Sequence, residues 1–177
     1  MEGTLIRPWH STDCVEDLTR LIHRAYRRNA DMGFHFVATH QTSSVTLERL
    51  DAGFAYVAVL EDKTIGTITL EYPVCVPHGD YVTDRRLALF GQFAVDPLHQ
   101  GFGIGRKLIE TVETRARHLG AEEICLDTAQ GAKHLIGYYE RLGYMIRAEA
   151  DWRPEVNYKS WVMVKPLARS LRPQGSP

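Results

Sequence analysis

Gly101, Gly103 and Gly105 alternate in the run Asp96-Pro97-Leu98-His99-Gln100-Gly101-Phe102-Gly103-Ile104-Gly105-Arg106, directly before an apolar helical repeat. Glycine at this spacing lets main-chain N–H groups converge with no Cβ in the way. The unpaired N–H groups at the start of the next helix, with its dipole, favour an anion, and a phosphate is the natural one. Two commoner glycine patterns fail. A Walker loop needs glycine five positions before Gly105, where Gln100 stands, and lysine after it, where Arg106 stands. A dinucleotide loop needs a glycine at its sixth position, which is Arg106 counted from Gly101 and Leu108 counted from Gly103.

The elements that must position this loop follow from hydrophobic period. Residues 5–8 read as a first strand ended by Pro8. Ser11 or Thr12 caps a helix that starts near Asp13, with Glu16 and Asp17 at its positive end and Leu18, Leu21, Ile22 and Ala25 at helical spacing. Residues 42–50 form a second short helix. Residues 54–60 and 64–72 are the two strands of a hairpin turned at Glu61-Asp62-Lys63. Residues 73–84, with Pro77, His78 and Gly79, form an irregular connection, and residues 85–95 lead into a central strand that Asp96-Pro97 closes. After the loop, Leu108, Val112, Ala116 and Leu119 make the apolar stripe of a helix stopped by Gly120. Glu110, Glu113, Arg115 and Arg117 decorate its outside, Glu113 and Arg117 pairing at i,i+4. A strand over 122–127 follows, then a helix over 132–142 whose core stripe is Leu135, Tyr138 and Leu142. Two closing strands, 144–147 and 160–164, flank a connection holding Trp152, Arg153 and Tyr158. One domain over residues 3–165 results, with a Pro-, Gly-, Ser- and Arg-rich tail over 166–177 expected to be disordered.

Composition excludes several classes. The 177 residues carry a formal net charge of -1 with the charges mixed, so no basic block invites nucleic acid. No apolar run reaches the length of a membrane span. Met1-Glu2-Gly3-Thr4 lacks the basic and apolar regions of a signal peptide. The scattered Cys14, Cys75 and Cys125 read as reduced thiols, so the expected location is cytoplasmic. His35 and His40 show no metal-ligand spacing, and no metal is expected.

The segment Gln100-Gly101-Phe102-Gly103-Ile104-Gly105 fits Gln/Arg-x-x-Gly-x-Gly/Ala. With the strand and Asp-Pro turn before it, it resembles the coenzyme A loop of the GCN5-related N-acetyltransferases (GNAT). Tyr138-Tyr139-Glu140-Arg141-Leu142-Gly143-Tyr144 is similar to a second signature of that family, aromatic-Tyr-Glu-Lys-Leu-Gly-Phe. Periodicity alone supports an α/β domain. The resemblance implies the acyl-CoA N-acyltransferase fold, a mixed and mostly antiparallel central sheet flanked by helices.

The resemblance also implies an acetyl-CoA-dependent enzyme that moves acetyl from the thioester to a primary amine of a small-molecule or peptide acceptor by direct attack. Phe93, Ala94 and Val95 are then the pantetheine strand. Gln100, Gly101, Phe102, Gly103, Ile104, Gly105 and Arg106 hold the diphosphate, mostly by main-chain N–H. Tyr139, before Glu140 in the second signature, lies at the coenzyme sulfur as general acid for the leaving thiolate. Many relatives carry a glutamate base on the central strand, where this chain has Gln92; Glu71 is taken as its substitute, with His78 and Asp127 as others. Tyr26, Phe34, His35 and Phe36 follow the first helix, in the region that commonly borders the acceptor. Homodimers are common in the family, and no residue here commits this chain to one. Two other readings stay open: a non-catalytic acyl-CoA-binding or sensor domain on the same fold, and an ATP-binding domain, which the failed Walker count disfavours.

Overall fold

A computed structural model describes residues 3–74 and 86–167. Cys75, His78 and the tail from residue 168 lie outside the described residues. The elements in chain order are β1 (Leu5–Pro8), α1 (Val15–Asp31), α2 (Ser43–Asp51), β2 (Phe54–Leu60), β3 (Lys63–Glu71), β4 (Leu87–Val95), α3 (Ile104–Leu119), β5 (Glu123–Ala129), α4 (Lys133–Arg141), β6 (Met145–Asp151) and β7 (Lys159–Pro166). The strands form one seven-stranded sheet in the order β1-β2-β3-β4-β5-β7-β6. All neighbours are antiparallel except β4 and β5.

The alternation of β2 shows why the sheet is covered on both faces. Ala55 and Val57 pack with Leu18, Leu21 and Ile22 of α1 and Leu50 of α2. Ala58, with Phe54 and Tyr56, packs with Leu108, Ile109 and Val112 of α3. Burying each large aliphatic side chain stabilises the fold by about 1.5–3 kcal/mol. The turn of the β2–β3 hairpin is two residues long, since Leu60 pairs with Lys63. Glu61 and Asp62 hold φ of 48° and 61°, the left-handed region that a two-residue I′ turn requires. Replacing the pair with Asn-Gly is expected to relieve about 1 kcal/mol and raise Tm by about 2–4 °C, read by thermal denaturation.

β4 carries the feature that creates the site. Thr67 of β3 faces Ala94, and Thr69 faces Gly91, so Gln92 and Phe93 together oppose Ile68. Gln92 sits at φ 48°. An extra residue in a strand reverses the side-chain parity beyond it and bends the strand. Ala88 and Phe90, then Phe93 and Val95, therefore face the α3 side, while Ala94 joins the α1 core. The parallel pairing of β4 with β5 runs from Leu87↔Glu123 to Leu89↔Cys125 and stops there, although both strands continue. A wedge opens between them.

Several sequence expectations need correction. α1 begins at Val15 with Cys14 as N-cap, not near Asp13 with Ser11 or Thr12 as cap. Asp13 is instead engaged by Arg7 at 2.8 and 2.6 Å and by the His10 N–H at 2.9 Å. Glu113 is not a surface charge but 3% exposed. Lys165 Nζ donates to both its oxygens at 2.8 and 2.9 Å, and the Tyr144 hydroxyl donates to it at 2.9 Å. The end of β7 brings that lysine under α3, a contact no local pattern announces. β7 runs through Pro166 and Leu167 is buried, so the fold extends two residues into the segment expected to be tail.

Candidate functional site

α3 starts where the alternating glycines end. Gly103 is its N-cap at φ 81°, and Gly101 holds φ 82°. Both values favour glycine. The first N–H groups of a helix have no intrahelical partner, so those of Ile104, Gly105 and Arg106 are available in front of the loop. Asp96 fixes the approach to the loop. Its Oδ1 accepts from the Leu98 N–H at 3.1 Å, and Arg24 of α1 donates to Oδ2 at 2.6 Å.

The wedge exposes main chain. The Asp96 N–H donates to the Ile65 carbonyl of β3 at 2.9 Å, so strand alternation turns the polar groups of Val95 the other way, toward β5. The Val95 carbonyl accepts from Gln100 Nε2 at 3.0 Å, and the Phe93 carbonyl accepts from the Tyr26 hydroxyl at 3.0 Å. The N–H groups of Phe93 and Val95 share this orientation.

A cavity of about 470 Å³ occupies the space between β4, α1, α4 and the glycine loop. Phe93, Ala94, Val95, Gln100, Gly101 and Gly103 line it, as do Gly105, Arg106 and Tyr139. Of the residues expected to meet the coenzyme, Phe102 and Ile104 do not line it with side chains. Phe102 is exposed beside the loop, and Ile104 is buried in the core, which leaves Ile104 only main chain to offer. The Arg106 guanidinium is held by Glu110 Oε1 at 2.8 Å.

The two tyrosines of α4 take faces opposite to those expected. Ile136 and Tyr139 are the buried stripe, while Leu135, Tyr138 and Leu142 are half-buried. Both tyrosines line the cavity. The Tyr138 ring stacks on Phe93 with centroids 6.4 Å apart and 14° between planes. A Cβ on Gly105 would stand 2.9 Å from the Tyr138 hydroxyl oxygen, so glycine there is what admits the ring to the loop. Tyr139 packs against Phe90 at 6.2 Å and Tyr144 at 6.1 Å, and its hydroxyl has no hydrogen-bond partner among the described residues. Burial pushes the Tyr139 phenol well above its ordinary pKa. It pushes Tyr26 up to about 12, against the positive charge of Arg49 and with the negative charge of Asp127. Both phenols are thus protonated, and able to donate, across the neutral range.

Tyr26 does not follow the first helix but belongs to it, since α1 runs on to Asp31; its ring still meets the aromatic residues beyond the helix. Tyr26 meets Phe36 edge-on at 5.4 Å, and Phe36 meets Tyr158 at 4.9 Å. Phe34 lies 6.1 Å from Tyr158, whereas the His35 side chain is exposed. Asn157 fastens this loop to the β6–β7 connection, accepting from the His35 N–H at 3.0 Å and donating to the Gly33 carbonyl at 2.8 Å. Tyr138 and Asn29 at the cavity, and Tyr158 and Asn157 against the segment after α1, escaped sequence reasoning. The contacts that place Tyr158 and Asn157 span more than a hundred residues, and only the apolar stripe pointed to α4.

The carboxylates expected near the amine lie apart from the cavity lining. Glu71, paired with Leu89 at the end of β3, is half-buried. Burial raises its pKa, and Arg49 opposes that rise. Asp127 is exposed on β5, and its field acts on Tyr26, Tyr139 and Tyr158. Gln92 is 3% exposed and turned into the protein, accepting from Gln41 Nε2 at 3.0 Å and donating to the Thr46 carbonyl at 3.3 Å. It takes no direct part at the cavity. Among the described residues no three His, Cys, Asp or Glu side chains are grouped to hold a metal. No described helix is long and apolar enough to cross a membrane.

Comparison with known proteins places this geometry. The model of the Acetyltransferase (GNAT) family matches residues 14–144. The S-(2-succino)cysteine N-acetyltransferase of Bacillus subtilis (strain 168) is 33% identical over 139 residues, covering 77% of this chain and 82% of that protein. A GNAT family acetyltransferase from Elizabethkingia anophelis, solved with acetyl-CoA bound, shares the fold with a TM-score of 0.69 at 16% identity, over 94% of this chain and 100% of that one. The ribosomal-protein-S18-alanine N-acetyltransferase of Escherichia coli does so with a TM-score of 0.70 at 15% identity, over 98% and 99%.

Proposed function

This chain belongs to the acetyltransferase (GNAT) family, and from that premise we propose that its cavity binds acetyl-CoA and that it acetylates a primary amine of a small-molecule or peptide acceptor. One observation carries the reading: the open edge of β4 and the free N–H groups of α3 line one cavity, with Gly105 making room for Tyr138 beside them. The residues present fit the coenzyme. The N-terminus of α3 and the loop from Gln100 to Arg106 suit a diphosphate. The N–H groups of Phe93 and Val95 suit an extended amide chain laid along β4.

When bound, the thioester supplies the acetyl group and gives up the CoA thiolate. An N–H of β4 directed at the thioester carbonyl oxygen would steady it as it gains charge, worth about 3 kcal/mol by comparison with other such donors. Tyr139 stands as general acid, its neutral phenol facing the cavity. The amine must lose a proton as the N–C bond forms and the C–S bond breaks. Glu71, at the end of β3 and outside the cavity lining, is the proposed acceptor of that proton by way of water; burial raises its pKa and Arg49 opposes that rise. Asp127 is its alternative. The domain spans residues 3–167 on this reading, in a cytoplasmic protein whose described cysteines, Cys14 and Cys125, are both free.

Calorimetric titration tests the donor. Acetyl-CoA is expected to bind at micromolar concentration and ATP to give no heat. Equal responses to both would remove the coenzyme assignment and restore the nucleotide reading.

A further inference from the structure

The α2 side of the sheet carries a cation that neither the fold nor the coenzyme cavity explains. Arg49 of α2 is half-buried, and its Nη1 donates to Gln41 Oε1 at 3.0 Å. Gln41 is 3% exposed and donates in turn to Thr46 Oγ1 at 2.7 Å and Gln92 Oε1 at 3.0 Å. Every partner in this network is neutral. Among the described residues Arg49 has no carboxylate within ion-pair distance, and Glu71 reaches it only through its field. The guanidinium keeps its full charge and most of its five donors.

Its position is also prepared. A Cβ on Gly91 would touch Arg49 Nη2 at 3.4 Å, so any larger side chain would lift the guanidinium off β4. Gly91 precedes the bulge, two residues before Phe93, roughly 6–7 Å along the strand. Tyr26 lines the cavity and feels both Arg49 and Asp127, so a positive and a negative group lie within electrostatic reach of the same end of the cavity.

We propose that Arg49 binds a carboxylate of the acceptor, so that the acceptor is an amino acid rather than a simple amine or a peptide amide. A planar guanidinium fork matches a carboxylate in two hydrogen bonds. Gln92 then acts structurally, since its amide, where a carboxylate would face the Thr46 carbonyl, pins Gln41 and through it Arg49. The proposal rests on the acetyltransferase reading above. The related S-(2-succino)cysteine N-acetyltransferase has, by its name, an acceptor of this chemistry.

The test uses the full chain and its Arg49→Met and Arg49→Lys variants. Each is titrated with acetyl-CoA, then, saturated with CoA, with S-(2-succino)cysteine, S-methyl-L-cysteine and S-methyl-L-cysteine amide. Acetylation of the three probes is followed by mass spectrometry. Acetyl-CoA affinity is expected to stay the same in all three proteins. The wild-type chain should bind and acetylate at least one carboxylated probe, and acetylate the acid S-methyl-L-cysteine in preference to its amide. Arg49→Met should lower kcat/KM for the carboxylated probes about 30-fold or more, mainly through KM, and erase the preference over the amide. Arg49→Lys should recover part of it. A wild-type chain that binds acetyl-CoA but no carboxylated probe, or that acetylates the amide as well as the acid, overturns the proposal. So does an unchanged KM in Arg49→Met. A wild-type chain that fails to bind acetyl-CoA removes the acetyltransferase reading and this one with it.

Discussion

Gly105→Ala is expected to weaken acetyl-CoA binding at least tenfold and leave the domain as stable as before. The new methyl would stand 2.9 Å from the Tyr138 hydroxyl oxygen and 3.0 Å from Phe93 Cζ. Both rings can give way only by shifting, and both line the cavity. The distortion thus falls on the coenzyme's space. A tenfold loss is about 1.4 kcal/mol, within the range for overpacking a fitted site. In the fold the cost of shifting Phe93 and Tyr138, which pack on the core, is offset by alanine's advantage over glycine in a helix, about 0.5–1 kcal/mol, so stability stays level. Gly103→Ala separates two kinds of damage. No atom lies near its Cβ, but its φ of 81° penalises any side chain, so strain at the N-cap and a lower Tm are expected there. Calorimetry and thermal denaturation on both variants distinguish shape from strain. Undiminished affinity in Gly105→Ala would mean that the coenzyme does not occupy this cavity.

Tyr139→Phe should lower turnover about 100-fold while leaving the affinity for acetyl-CoA nearly unchanged. The ring keeps its packing on Phe90, Tyr138 and Tyr144, and only the hydroxyl is lost. Tyr139 lines the cavity and no described residue hydrogen-bonds its hydroxyl, so the loss of that group leaves no buried partner unsatisfied. Stability should therefore change little. The sign of the pH dependence follows from burial. A phenol held well above its usual pKa stays protonated through the neutral and mildly alkaline range. Turnover should not fall on the alkaline side below about pH 10 through this group. Tyr138→Phe is the comparison. Its hydroxyl sits at Gly105, so its effect should appear in affinity first. A wild-type rate in Tyr139→Phe with a true acceptor would take the acid role away from this residue.

The outline of the fold could be read from local pattern. Strand β2 coincides with the stretch read from its apolar run, and Thr42 caps α2 through its side chain, accepting from the Val45 N–H at 3.3 Å. The glycine loop was legible because its meaning is carried by backbone: alternating residues without Cβ before a helix start have few other uses. The stripe of α4 was misread because a short helix presents two plausible apolar faces. Phe90 and Tyr144, distant in sequence, decided which one faces the sheet.

The sequence by itself determined the order of elements, the alternating-glycine loop before α3 and the residue types beside it, because each depends on residues within a few positions of one another. Only the tertiary structure decided where that chemistry is gathered. One extra residue at Gln92 turns the parity of β4, parts it from β5 and opens the cavity. The same fold buries Gln92 away from that cavity and ties it, through Gln41, to Arg49. Hydrogen bonds that join residues 41, 49 and 92 depend on how helix and sheet pack, and no spacing along the chain encodes them.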